Sequence, residues 1–390
     1  MTERRFGDPR QPGDRTRAAA DRHSSWLELF FDLAFVFAVT TISTRLGDDA
    51  ALSWAKGLTV LGLFTVIWWA WIGQAFFDTR FDYDDVPQRL SVLAAMVGAG
   101  AMAVGISEVP RTALFPIGYL IVRTALLGLY LRVAASHIGF GWVTHVYLPG
   151  FGIGWLVWLG SLLAPADTRP GLWAFGLVIE LLTPWVGRYL LKRAPVNTSH
   201  LPERIGLFTI ILLGATLTEL LDAVSDAPYA RVFASAVVAF CVPASLWWIY
   251  SGFVSKGVSQ QQLKGGQSYA YLHGCLGAAL LLLGWGLGQS LRLVGEEVDR
   301  TPMALRVVLT LTVATWMICG IGLQRVTFGT LSATRMCIAA GGIALTTVVT
   351  LTMPTPVLTI AALAVSLVAY AAVVNRHLAR TNVQTDPLDA

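Results

Sequence analysis

One pattern repeats along the chain from Trp26 to Asn375: apolar runs of roughly 18 to 25 residues, each long enough to cross a bilayer as a helix, broken by Pro, Gly and charge. With 55% hydrophobic and only 13% charged residues, 390 residues cannot cover the surfaces of soluble domains. An all-α polytopic membrane protein follows, with no room for a large domain outside the bilayer.

Twelve spans are expected: Trp26 to Thr44, Leu52 to Phe76, Val86 to Ile106, Thr112 to Ala134, Val143 to Ala164, Leu172 to Leu191, Arg204 to Leu221, Tyr229 to Phe253, Ser268 to Leu291, Met303 to Leu323, Leu331 to Leu351 and Pro356 to Asn375. An even number puts both termini on one side. Placing about 19 of the 28 Lys and Arg on the tails and even loops makes that side cytoplasmic by the positive-inside rule. The organisation expected is a basic disordered tail over 1–25, a first six-helix unit over 26–193, a cytoplasmic linker over 194–203, a second unit over 204–376 and a tail over 377–390.

Two landmarks recur in order. Glu28 and Glu203 open the first and seventh spans, with Thr41-Ile42-Ser43 and Thr216-Leu217-Thr218 at the same offset, and Trp68-Trp69-Ala70-Trp71 is echoed by Trp247-Trp248-Ile249-Tyr250. A parallel six-plus-six internal duplication explains both; gathering of tryptophans at membrane interfaces explains the second alone.

The sharpest chemical feature is Trp26-Leu27-Glu28-Leu29-Phe30-Phe31-Asp32-Leu33, where two carboxylates four apart share a helix face. Ionised together at roughly 6 Å they would repel by about 3 kcal/mol at an effective dielectric of 20, so a proton, a cation or an arginine must relieve them. Glu28 also suits the first turn of a helix at headgroup level. In Pro202-Glu203-Arg204-Ile205, Pro presets a helix start, Glu203 occupies its first turn, and either charged residue is placed to pair with charges of the first unit.

These stretches, with Trp247-Trp248-Ile249-Tyr250, resemble the bacterial low temperature requirement protein A family over nearly the whole chain after the tail. The resemblance implies a multi-pass protein of the bacterial inner membrane without an established molecular activity. The family continues the second motif with Leu-Gly-Glu where this chain has Leu213-Gly214-Ala215; Glu219, one turn later on the same face, is the residue that could substitute.

Other polar residues inside the spans are Arg123, Glu180, Glu219 and His273. An Arg and a Glu in hydrocarbon pair, so Arg123 is expected to meet Asp32, Glu28 or Glu180, with Asp32 as the first choice. Glu219 near a span end reads equally as a solvated acid, and His273 as a hydrogen-bonded packing residue. The four cysteines, Cys241, Cys275, Cys319 and Cys337, form no CxxC pair and read as packing residues, neither disulfide nor metal site. All four lysines sit in loops or at span ends, and no phosphate-cradling glycine motif is present, so no cofactor is expected.

The favoured function is a secondary transporter or channel-like protein for a small solute or ion, with Glu28 and Asp32 as a coupled proton or cation site and Arg123, Glu180, Glu203, Arg204, Glu219 and His273 as the wider set. The alternatives are a membrane-embedded lipid-modifying enzyme, with Asp78, Asp82, Asp84 and Asp85 holding Mg²⁺ in a cytoplasmic loop, and a stress-associated scaffold. Membrane lipids and a small solute are the expected partners, homo-oligomerisation is left open, and nucleic acid is not expected because the basic residues lie between spans.

Overall fold

The computed structural model describes residues 25–47, 53–81, 83–136, 141–194, 196–197, 199–254, 266–329 and 331–383, and among them no strand occurs. The long helices are α1 (Trp26–Thr40), α2 (Trp54–Arg80), α3 (Val86–Gly105), α4 (Leu114–Ala135), α5 (Thr144–Ser161), α6 (Arg169–Val186), α7 (His200–Asp226), α8 (Ala230–Val254), α9 (Gln267–Gly295), α10 (Met303–Phe328), α11 (Ala333–Thr352) and α12 (Pro356–Val383). Ten of them are long and apolar enough to cross a membrane. The two outside that set, α5 and α6, are diluted by His145, Pro149 and glycines in one and by Arg169 and Glu180 in the other.

Local chemistry sets the ends. Ser25, Ser53, Asp85 and Ser332 cap α1, α2, α3 and α11 by accepting a backbone N–H three residues on. Gly329, at φ 73°, ends α10 in the left-handed conformation that glycine adopts without penalty. Two boundaries differ from the sequence reading in ways that matter below. α2 runs on through Asp78 to Arg80, and α7 begins at His200, so His200–Glu203 of the expected linker are helical. The expected N-terminal tail lies almost wholly outside the described residues, while α12 continues into the expected C-terminal tail.

Helices α3 and α4 pack backbone to backbone: a Cβ on Gly98 would lie 2.7 Å from the Gly118 carbonyl oxygen, and one on Gly118 would lie 2.5 Å from that of Gly98. α1 and α2 both touch α7, and α2 also reaches α9, which forms a seam between the two halves of the bundle. The two tryptophan runs sit in different surroundings. Trp68, Trp69 and Trp71 are buried, whereas Trp247 and Trp248 are exposed. Of the cysteines expected as packing residues, Cys319 is buried, but Cys275 and Cys337 are exposed.

Candidate functional site

The site starts at the first turn of α1. Ser25 and Glu28 form a reciprocal capping box: Ser25 N–H donates to Glu28 Oε2 at 2.8 Å and Glu28 N–H to Ser25 Oγ at 3.2 Å. The same Oε2 lies 3.2 Å from His200 Nε2 in the first turn of α7, and Glu28 is only 7% exposed. The headgroup-level and buried-pair readings of Glu28 therefore describe one residue, which caps its own helix and reaches across the seam. On the other side of the imidazole, His200 Nδ1 lies 3.5 Å from Thr79 Oγ1 of α2.

One turn deeper, Asp32 is fully buried and its partner is Arg204, correcting the expectation of Arg123. Arg204 Nη2 donates to Asp32 Oδ1 at 2.6 Å and Nη1 to Asp78 Oδ2 at 2.7 Å, so one guanidinium bridges two helices of the first half. Trp71 Nε1 donates to Asp32 Oδ1 at 2.7 Å; Gln74 and Gln88 donate to Asp78 Oδ1 at 2.8 and 2.7 Å. Phe31 and Trp71 flank the guanidinium, their ring centroids 5.8 and 5.9 Å away. Asp32 Oδ2 and Arg204 Nε are buried and make no hydrogen bond within the described structure. A buried ion without a partner is costly wherever water is excluded, and each charge here faces another helix.

A second buried pair lies inside the first half. Arg123 Nε of α4 is 2.8 Å from Glu180 Oε2 of α6, both fully buried. Tyr119 O–H and Trp69 Nε1 donate to that same oxygen at 2.7 and 3.1 Å, and Arg123 Nη2 donates to the Trp69 carbonyl at 3.0 Å. Gly154 makes room for it, since a Cβ there would stand 2.6 Å from Glu180 Cγ. Of the three acids expected as partners for Arg123, geometry selects Glu180.

Two others of the expected set, His273 and Glu219, lie apart from these networks. His273 is buried with Nε2 3.0 Å from Tyr250 O–H and Nδ1 2.9 Å from the Tyr269 carbonyl, a packing arrangement in the second half. Glu219 is half-buried where α7 meets Gly288 of α9, and Glu203 is half-buried beside Arg204. Among the described residues the acidic loop forms no shared cation site. Asp78 belongs to the Arg204 network, Asp84 pairs with Arg89 at 2.9 Å, Asp85 is forked by Arg132, and Asp82 lies outside the described residues. No group of three or more potential metal ligands occurs among the described residues.

Sequence reasoning missed His200, Trp71 and the buried role of Asp78. The available signals were the run Trp68-Trp69-Ala70-Trp71, which covers too much of the helix circumference to face an interface throughout, and the polar Gln74 and Asp78 one turn apart below it.

Comparison with known proteins agrees with the architecture. No solved structure matches the chain. An uncharacterized protein of Rhizobium meliloti (strain 1021) is 30% identical over 270 residues, 59% of this chain and 62% of that protein, so the chain spans under two thirds of the relative's length. The family model for the bacterial low temperature requirement A protein (LtrA) matches residues 23–372, nearly everything from the start of α1 to the end of α12. The chain, a multi-helix membrane protein with two ion-pair networks buried in its bundle, belongs to the LtrA family.

Proposed function

We propose that this LtrA-family chain is a secondary transporter or channel-like protein for a small solute or ion, coupled to a proton or another cation at the seam. The observation that carries this reading is that carboxylates of the first half, Glu28, Asp32 and Asp78, meet the His200 imidazole and the Arg204 guanidinium of the second half, inside apolar helices. Were the halves to rock against each other, Arg204 would have to leave Asp32 and Asp78. Breaking a buried pair on one side costs about 3–5 kcal/mol, and a proton or cation taking the vacated carboxylate offsets that cost. Opening and ion uptake then become one event.

The packing order supports the parallel duplication that such rocking uses. In the first half, α1 packs on α2 and α3, α3 on α4, α4 on α5, α5 on α6 and α2 on α6; in the second, α7 packs on α8 and α9, α9 on α10, α10 on α11, α11 on α12 and α8 on α12. On this reading α5 and α6 complete twelve crossings, and the arginine bias places both termini in the cytoplasm. The lipid-modifying alternative loses its main support, because Asp78, Asp84 and Asp85 are each engaged by an arginine.

The test is flux in proteoliposomes across an imposed pH gradient, with a panel of small solutes and cations. Wild type is expected to show pH-dependent flux, and the double variant Glu28→Gln, Asp32→Asn to lose the pH dependence while still inserting. A double variant with the wild-type pH profile would refute coupling at this site.

A further inference from the structure

At the end of the bundle that holds Glu28 and His200, the C-terminal turns of α8, α10 and α12 and the N-terminal parts of α9 and α11 surround a cavity of about 50 Å³. One water needs about 10–15 Å³ of such space, so this one takes several waters or a carboxylate- or phosphate-sized group with the first carbons of a chain. Its walls are apolar and aromatic, with Phe253, Trp316 and Tyr370 prominent, and no acidic residue lines it. Tyr250, Tyr370 and His377 line it too, and two further polar groups stand out. Arg335 Nε and Gln324 Oε1 are both buried, and neither makes a hydrogen bond within the described structure. Among the described residues Arg335 also has no carboxylate partner, unlike Arg123, Arg132 and Arg204.

We propose that this cavity binds a single-chain amphiphile whose head carries an anionic oxygen together with an O–H or N–H, the chemistry of a monoalkyl phosphate. Arg335 takes the anionic oxygen as a charge-assisted acceptor, and Gln324 Oε1 takes the proton-bearing oxygen beside it. A simple carboxylate at neutral pH satisfies the arginine and leaves the glutamine oxygen without a donor. Trp316, Phe253 and Tyr370 cover the first carbons of the chain. A cationic head is rejected, because Arg335 stands in the wall and no acidic residue lines the cavity. The site is separate from the Asp32–Arg204 network and does not rest on the transport reading.

The experiment is calorimetric titration of the full chain in a neutral maltoside detergent with decyl phosphate, decanoate, decyltrimethylammonium and inorganic phosphate. Decyl phosphate is expected to bind most tightly, and Arg335→Gln to weaken it by about tenfold or more, the usual worth of a hydrogen bond to a charged group. Gly320 lines the cavity, and a Cβ there would meet nothing within 4 Å, so Gly320→Leu fills the space without moving backbone and should abolish binding. Gly320→Leu keeps the test decisive should Arg335→Gln fail to fold. Unchanged decyl phosphate affinity in Gly320→Leu, or decyltrimethylammonium bound as tightly as decyl phosphate, would overturn the proposal. Inorganic phosphate matching decyl phosphate would overturn the amphiphile assignment and leave a free-anion site.

Discussion

Arg204 Nη2 stands 2.6 Å from Asp32 Oδ1 across 172 residues of sequence, and it joins the second turn of α7 to the middle of α1. Both side chains are fully buried, so neither can trade its partner for water without a movement of helices.

Replacing Asp32 separates shape from charge. Asp32→Asn keeps the volume and a polar group facing Arg204, and should retain most of the fold. Asp32→Leu leaves Arg204 and Trp71 short of their shared acceptor and should cost about 3–5 kcal/mol, the range for breaking a buried pair from one side. Thermal unfolding in detergent reads the difference; matching midpoints for the two variants would show that the charge carries no structural weight.

The Arg123–Glu180 pair should be strongly non-additive. Arg123→Met or Glu180→Met alone strands a buried ion, whereas the double variant removes both ions together and should cost far less than the sum. A double-mutant cycle measures this, with a coupling of at least about 1 kcal/mol expected for groups in direct contact. Additive losses would mean that the pair contributes nothing beyond its separate packing.

Glycines of the first half divide by what surrounds them. Gly118→Ala would press a methyl group into the α3 backbone and should cost about 1–3 kcal/mol. At Gly128, in the same helix, a Cβ would meet nothing within 4 Å, so Gly128→Ala should be neutral or stabilise by up to about 1 kcal/mol through helix propensity. Reversal of that order in a thermal-shift measurement would place the α3–α4 contact elsewhere.

Asp85, at the N-cap of α3, gives a pH dependence of known sign. Hydrogen bonds from Arg132 hold its carboxyl below the ordinary 3.8, outweighing partial burial. A carboxylate with a lowered folded value contributes stability that is present above the ordinary range and is lost as pH falls through the folded value. Unfolding midpoints of wild type and Asp85→Asn should therefore converge below about pH 4 and differ above it. The gap should be small, since the pair is more than a third exposed and screened by solvent.

Whether α5 and α6 cross the membrane can be read from two reporter insertions. One at Asp167, between the two helices, and one after Arg193 should report opposite faces if both helices cross. The same face for both would make α5 and α6 a re-entrant pair and reduce the crossings to the ten apolar helices.

How much of this was readable depended on how local the cause was. The start of α1 was legible because the apolar run opens at Trp26, just where Ser25 and Glu28 cap the helix, and the carboxylate pair was legible because Asp32 follows Glu28 by one turn. Arg204 stood out as a charge opening an apolar run, but its partners lie on α1 and α2, and contacts so distant in sequence leave no local trace. Asp78 was assigned to a loop because the apolar run stops at Phe76, whereas the helix continues for another turn under tertiary packing. His200 was lost the same way, at a boundary set by polarity when the helix had already begun. The cavity beside Arg335 could not be foreseen at all, since it depends on how five helices fail to close on one another.

Helix α2 is gripped from two sides. Trp69 and Trp71 are two positions apart, which at about 100° per residue sets their side chains roughly 200° apart around the axis. One indole is tied to Glu180 and the other to Asp32. A turn of α2 about its own axis would shear both hydrogen bonds at once, while a tilt about the line joining the two indoles strains each far less. The helix is thus keyed like a shaft in two slots, free to lean and barred from spinning, and any motion of the first half that passes through it inherits that single direction.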